Sequence, residues 1–218
     1  MARPIALHPI PAIPPDISFH PFAALQAGSA LATRYLLLLR FAVLNMVATA
    51  LLGAAWFRGW IMAAYEGDQT RMVVVIALVF AAGFVRCGNR IRETSEDINR
   101  VKAGCIPSWL ALPESVLRLK LGARFAGPRH VANGLVLLGL IGTVIGFIIA
   151  LSGVRPDAAS DVAAIGPMIS TLITGMGVAL YTTLVGAVLN IWLMLNVRLL
   201  EGGCVSLVVA VAEGRGEP

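Results

Sequence analysis

Charged residues are scarce in this 218-residue chain, and their scarcity excludes a water-soluble protein. Asp, Glu, Lys and Arg make up 13% of the sequence, whereas apolar residues make up 58% and the mean hydropathy is +0.82. Soluble domains carry about 25% charged residues. A chain with so few charges cannot cover a water-facing surface, so we expect an all-α integral membrane protein.

The residue sets on which enzymes and metalloproteins depend are also missing. Cys87, Cys105 and Cys204 are far apart and form no CxxC pair, which favours reduced thiols on the cytoplasmic side. The three histidines are isolated, and neither a nucleotide-binding glycine loop nor an HExxH zinc motif is present. We therefore expect no catalytic site, no cofactor, no metal site and no enzymatic activity.

Four long charge-free runs predict four transmembrane helices. The charge-free runs are 41–57, 72–85, 131–154 and 162–197, and the predicted spans cover about residues 36–57, 72–86, 131–154 and 165–197. The second has only 14 residues between Arg71 and Arg86, fewer than the roughly 20 that a crossing needs, so a re-entrant segment is the alternative. The last run, 162–197, has 36 residues and would be about 54 Å long as a helix. We expect this helix to tilt strongly or to extend into the cytoplasm.

Basic residues concentrate between the second and third spans and predict the orientation of the chain. Nine of the 17 Lys and Arg residues lie from Arg86 to Arg129, whereas loop 58–71 has two and loop 155–161 has one. Basic loops stay in the cytoplasm, so the loop and both termini are predicted to be cytoplasmic. The basic excess is then a topology signal, and we expect no nucleic-acid partner.

The spans divide the chain into five predicted segments. These are a Pro-rich cytoplasmic segment (1–33), a transmembrane hairpin (34–86), a basic cytoplasmic loop (87–130), a two-span region (131–200) and a cytoplasmic tail (201–218). Apolar spacing over 91–101 indicates that the second span continues as a helix, and Pro113 indicates the start of another. Gly127-Pro128 is expected to interrupt that helix, and Gly202-Gly203 to end the last one.

Small and polar residues form a stripe on each of the last two spans. The third span carries Gly139, Gly142, Thr143 and Gly146, and the fourth carries Gly175, Ala179, Thr182, Thr183, Gly186 and Asn190. A GxxxG pair lets helix backbones approach closely in lipid, so packing alone is one interpretation. Pore lining is the other, because a polar stripe faces protein or water at lower cost than lipid.

No span contains Asp, Glu, Lys, Arg or His between its flanking charges. A protein that moves protons across a membrane needs a titratable group near the middle of the bilayer. If this chain conducts protons, we expect a partner chain to supply the carboxylate.

The segments LGLIGTVIGF (138–147) and GMGVALYTTLVG (175–186), with a polar loop between them, resemble the MotA/TolQ/ExbB proton channel family. The resemblance covers about residues 130–200. It implies a ring of such subunits, typically five, in the bacterial inner membrane. The ring would surround two copies of a single-span partner of the MotB/TolR/ExbD type, whose Asp carries the proton. The pore threonines of the family correspond to Thr143 and Thr183, with Thr182 as the adjacent candidate.

The sequence departs from individual branches of the family. Val178 stands where ExbB and TolQ carry a glutamate, and the loop at 87–130 is far shorter than the cytoplasmic region of MotA. The resulting hypothesis is a ring-forming proton-channel subunit that uses proton-motive force for mechanical work or energy transduction. The alternative is a non-conducting four-helix scaffold that assembles or anchors another complex. A substrate transporter is disfavoured, because no inverted repeat is visible.

Overall fold

The computed structural model describes residues 36–105, 107–154 and 162–215. Within these ranges the chain forms α1 (Leu36–Phe57), α2 (Trp60–Gly67), α3 (Met72–Lys102), a 3-10 turn (Ser108–Leu110), α4 (Glu114–Ser152) and α5 (Val162–Arg215). The described part contains no strand, as the all-α prediction requires. The predicted Pro-rich segment 1–33 and the loop at 155–161 lie outside the described residues.

Four of the helices, α1, α3, α4 and α5, are long and apolar enough to cross a membrane. The prediction of four transmembrane helices is confirmed, and the chain is a multi-pass membrane protein. The remaining helix, α2, has only eight residues and lies in the turn between α1 and α3.

The turn that leads into α3 is held by the buried carboxylate of Asp68. Its Oδ1 accepts hydrogen bonds from the backbone N–H of Thr70 (3.0 Å) and from the Thr70 hydroxyl (2.5 Å), and its Oδ2 accepts one from the N–H of Val73 (2.6 Å). The first N–H groups of a helix have no partner within the helix. Asp68 therefore satisfies one N–H of the first turn of α3, at Val73, from a position before the N-cap residue Arg71.

Beyond the apolar runs, three helices continue together as a bundle that we call the charged bundle, made of residues 87–102, 114–130 and 198–215. Its core consists of side chains with almost no solvent exposure, among them Ile91, Leu117, Leu121, Leu200, Leu207 and Val211, and Leu110 of the 3-10 turn packs into this core. The region predicted as a basic loop is thus mostly helical. The continuation of α3 past Arg86 and the start of α4 at Glu114 agree with the sequence prediction.

Two predicted helix breaks are wrong. α4 passes through Gly127-Pro128 without interruption, and α5 passes through Gly202-Gly203. Pro128 cannot donate a helical hydrogen bond, but its side chain is buried. Leu121 and Leu135, two turns before and after it in α4, are buried as well. We attribute the continuous helix to this packing. Up to Arg215, the predicted tail at 201–218 is the last part of α5.

Gly203 explains why a glycine pair does not end α5. A Cβ on Gly203 would lie 2.7 Å from Cδ2 of Leu37 in α1, so this glycine is a point of close contact between helices. The Leu37 side chain occupies the space that another residue would need. Packing between helices, rather than helix termination, accounts for the glycine at this position.

Candidate functional site

Glycines bring the backbones of α4 and α5 close together in the described part of the chain. A Cβ on Gly146 would lie 2.5 Å from the backbone nitrogen of Ala179 and 2.6 Å from the carbonyl oxygen of Gly175. A Cβ on Gly186 would lie 2.8 Å from the carbonyl oxygen of Leu135 and 3.1 Å from Cα of Gly139. The order of these pairs makes α4 and α5 antiparallel, with backbone against backbone. The predicted glycine stripe is therefore the contact between the last two spans.

Thr143 of α4 and Thr183 of α5 meet at the edge of this contact. Their hydroxyl groups hydrogen-bond to each other. The Thr143 hydroxyl lies 3.1 Å from the carbonyl oxygen of Gly139 and 3.4 Å from that of Ala179, and the Thr183 hydroxyl lies 3.3 Å from the same Gly139 oxygen. Two predicted pathway residues that are 40 positions apart in sequence are thus neighbours in space.

The two hydroxyls have more acceptors than hydrogens. Each threonine has one O–H to donate, whereas the cluster offers both hydroxyl oxygens and the carbonyls of Gly139 and Ala179. Either threonine can donate to the other while the second donates to a carbonyl. The pair can therefore exchange donor and acceptor roles by rotation of the hydroxyls alone.

This hydroxyl pair opens onto an apolar surface. Thr183 is exposed and Thr143 is half-buried, whereas the neighbours one turn away, Leu140, Phe147 and Leu180, are apolar and exposed at 58%, 54% and 72%. Thr143 also lies near the middle of the charge-free run at 131–154. A polar group at that depth is stable against protein or water rather than lipid. We conclude that this face is suited to contact a further protein surface or a water-filled path.

Thr182 lies in a different environment from Thr183. It is fully buried, and its hydroxyl donates to the carbonyl of Val178 (2.8 Å) and lies 3.2 Å from that of Ala179. Its side chain fills the space above Gly142, where a Cβ would come within 2.5 Å of it. Thr182 is therefore placed between the two helices, and Gly142 makes room for it.

Asn190 lies two turns beyond Thr183 on α5. The residue is half-buried, and its Oδ1 is buried with no hydrogen-bond partner among the described residues. Ala179 and Gly175 lie one and two turns from Thr183 in the other direction, and both are buried against α4. The stripe thus combines packing residues with one polar atom whose hydrogen bond is not satisfied within the described chain.

A second polar cluster, which sequence reasoning did not single out, joins α1 to α5. Asn45 Nδ2 donates to Oδ1 of Asn196 (2.9 Å), and the indole N–H of Trp192 donates to Oδ1 of Asn45 (2.8 Å). Phe80 and Phe84 of α3 pack beside Trp192, with ring centroids 5.0 and 5.8 Å away. The sequence does contain a signal for this cluster, namely the single asparagine in the apolar run of α1. An amide in lipid requires a hydrogen-bond partner, so this residue predicts a contact with another helix.

The described residues contain no candidate metal site, and the spans of α4 and α5 contain few ionisable groups. No group of three or more His, Cys, Asp or Glu residues there could hold a metal ion. The described spans of α4 and α5 have no ionisable side chain between His130 and Arg198 other than Tyr181. The geometry provides hydroxyls and tight packing but no carboxylate at the depth of the hydroxyl pair on this face.

These features define the class of the chain: an all-helical, multi-pass membrane protein whose last two spans pack through glycines and carry a paired hydroxyl site. Residues 129–212 match the family model described as the MotA/TolQ/ExbB proton channel family. The resemblance inferred from the sequence is confirmed over this region, which includes the hydroxyl pair and the glycine contact. No curated protein and no solved structure matches the chain.

Proposed function

We propose that this chain is a non-enzymatic, ring-forming wall subunit of a proton channel that drives mechanical work or energy transduction at the bacterial inner membrane. The observation that carries the proposal is the Thr143–Thr183 hydroxyl pair on an apolar α4–α5 face. The family match over residues 129–212 supports the same role. In this role the threonines line the path and the glycines hold the wall together.

The proton itself is carried by a second chain in this proposal. The spans of α4 and α5 lack a carboxylate, so a single-span partner of the MotB/TolR/ExbD type supplies the titrating Asp. Hydroxyls are suitable neighbours for such a group because they both donate and accept hydrogen bonds. Following the family, we propose about five copies of this chain around two copies of the partner, with both termini of this chain in the cytoplasm.

The membrane potential supplies enough energy for proton flow to move one component of the complex against the other. One charge that crosses 100 mV releases about 2.3 kcal/mol. The close backbone contact between α4 and α5 supports a wall that keeps its shape, and we propose that this wall faces the partner. We propose that proton transfer at the partner's Asp changes how that helix sits against this wall, so that one component moves against the other.

The test replaces the hydroxyls and keeps the shape of the side chains. The complex with its co-purified partner is placed in liposomes that contain a pH-sensitive dye, and proton entry is measured under an imposed potential. Thr143→Val and Thr183→Val are expected to lower flux at least about tenfold, the factor that corresponds to ~1.4 kcal/mol of barrier. Assembly, followed by size-exclusion chromatography, is expected to be unchanged.

Thr49→Val is the matched control. Thr49 lies on α1, and its hydroxyl donates only to the carbonyl of Asn45 in its own helix (2.7 Å). The control is expected to conduct like the unmodified complex. Normal flux in both pathway variants would contradict the role proposed for the hydroxyl pair. No flux above the liposome background in the unmodified complex would contradict the channel proposal and favour the non-conducting scaffold.

A further inference from the structure

A cavity outside the channel wall lies in the charged bundle. It has a volume of about 310 Å³ and is lined by Arg90 of α3, Trp109 of the 3-10 turn, and Lys120, Ala123 and Arg124 of α4. Three of its five lining residues are basic, so the cavity is suited to an anion.

One wall of this cavity is fixed in place. Arg124 Nη1 lies 2.9 Å from Oδ2 of the buried Asp97 and 3.3 Å from the hydroxyl of Thr94. The guanidinium stands 4.8 Å from the centre of the Trp109 ring. All the bonds described for Arg124 use Nη1, which leaves Nη2 for another acceptor. The arginine is thus pre-organised, and a ligand does not have to order it.

The charges of the cavity are not balanced. Asp97 neutralises Arg124, and Glu93 pairs with Arg90 at 2.8 Å. Lys120 has no carboxylate within 4.0 Å among the residues that the structure describes. One positive charge therefore remains without a partner, and the Arg90–Glu93 pair is exposed enough to exchange its partner for a stronger anion.

The position of the cavity along the helices indicates which anion it meets. Arg90 lies four residues beyond Arg86, where the apolar run of α3 ends, and Arg124 lies five residues before Arg129, where that of α4 begins. At 1.5 Å per residue these distances are about 6 and 8 Å. The headgroup layer on each side of a bilayer is roughly 5–8 Å thick. Arg90 and Arg124 therefore lie at headgroup depth, where tryptophan is also favoured. Lys120, nine residues or about 14 Å before Arg129, lies at the outer side of this layer.

We propose that this cavity binds the phosphate of an anionic phospholipid headgroup, with Arg90, Lys120 and Arg124 as phosphate ligands and Trp109 as its wall. Arginine N–H groups match phosphate oxygens in geometry, and basic pockets beside membrane helices are suited to anionic lipid heads. The acyl chains stay in the bilayer beside α3 and α4. The site does not use the hydroxyl pair, so it is independent of proton conduction.

The test measures lipid binding by the purified complex in detergent. Phosphatidylglycerol is titrated against phosphatidylcholine, and bound lipid is counted by native mass spectrometry. Lys120→Gln and Arg90→Gln are expected to weaken phosphatidylglycerol binding about fivefold each, the factor for the ~1 kcal/mol that one basic residue contributes near a membrane surface. Arg100→Gln, at an exposed arginine of α3 that does not line the cavity, is the control and is expected to bind normally.

Three results would overturn the proposal. Equal binding of phosphatidylcholine and phosphatidylglycerol would show that the charge is not recognised. Unchanged phosphatidylglycerol binding in both Lys120→Gln and Arg90→Gln would place the lipid elsewhere. If inorganic phosphate at the same concentration displaced the lipid completely, the ligand would be a soluble phosphate and not a lipid headgroup.

Discussion

At the scale of single residues, polar side chains in the spans are paired in two different ways. The Thr143–Thr183 pair is open to its surroundings, whereas the Asn45–Asn196 pair is closed by the indole of Trp192. A closed pair holds helices together, because each hydrogen-bonding group already has a partner. An open pair keeps oxygen atoms free for a further partner. This difference in exposure is why we assign conduction to the threonines and anchoring to the asparagines.

The sequence alone could predict which residues belong to the stripe, but it could not decide which threonine is open. Thr182 and Thr183 are adjacent and point about 100° apart around α5. Only the position of α4, which places Gly142 against Thr182, determines that Thr183 is the exposed one. The direction of a neighbouring helix depends on packing over its whole length, so a local motif does not specify it.

The glycine contact between α4 and α5 predicts that even one added methyl group lowers the stability of the protein. In Gly146→Ala the new Cβ meets backbone atoms of Ala179 and Gly175, which cannot rotate away. We expect the variant to lose about 1–3 kcal/mol of stability, the usual cost of overpacking, as measured by thermal unfolding in detergent.

Gly134→Ala in the same helix is the matched control for this substitution. A Cβ on Gly134 has nothing within 4 Å, so the variant is expected to be as stable as the unmodified chain, or more stable by up to about 1 kcal/mol. Equal stability of Gly146→Ala and Gly134→Ala would show that α4 and α5 do not touch at this point.

At the scale of helices, the errors of sequence reasoning have a common cause. Gly127-Pro128 and Gly202-Gly203 are local signals for a break, and both lie inside continuous helices. Each is in a region where α3, α4 and α5 pack along their length, with Leu200 and Leu207 fully buried. Packing energy along the helices outweighs a local preference of a few kcal/mol. The apolar periodicity over 91–101 was the better guide because it reflects that packing.

α1 has the weakest attachment of the four long helices, since none of its residues is buried. Its polar link is Asn45, which contacts Asn196 and Trp192 of α5. In Asn45→Leu these two partners lose their hydrogen bonds to α1, at a cost of about 0.6–1.7 kcal/mol for such pairs in membranes. We expect faster hydrogen exchange in α1 and little change in α4.

Met46→Leu is the control for the α1 variant. Met46 is 67% exposed and lies next to Asn45 in sequence, so its replacement leaves the hydrogen bonds between Asn45 and α5 in place. Equal exchange in Asn45→Leu and Met46→Leu would show that the asparagine does not anchor the helix.

At the scale of the whole molecule, the hairpin of α1 and α3 is shorter than the pair of α4 and α5. The turn of the hairpin contacts α5 at Tyr181, through Gly67, whereas the end of α4 contacts α5 at Thr171, through Gly153. These ten residues of α5 correspond to about 15 Å. The hairpin thus does not cover the end of α4 near Gly153 or the part of α5 that packs against it. Apolar side chains there, such as Ile148 and Ile173, are exposed. A neighbouring subunit or lipid is expected to cover them.

The proposed orientation can be tested with the cysteines of the chain. Cys105 is exposed, whereas Cys87 and Cys204 are buried. A membrane-impermeant maleimide is therefore expected to label Cys105 in inverted inner-membrane vesicles and not in intact spheroplasts. In Cys105→Ser the label is expected to disappear.

The opposite side is reported by Gln69→Cys in the Cys105→Ser background. Gln69 is exposed in the turn between α2 and α3, so its cysteine is expected to react in spheroplasts. Labelling of Cys105 in intact spheroplasts would reverse the proposed topology.

The central claim is that this chain forms the wall of a channel and depends on another chain for the titrating group. The most direct measurement compares proton flux in liposomes that hold the purified chain alone with flux in liposomes that hold its complex with the native single-span partner. We predict flux above the liposome background only for the complex, and loss of that flux when the partner's transmembrane Asp is replaced by Asn. Flux through the chain alone at the rate of the complex would contradict the account.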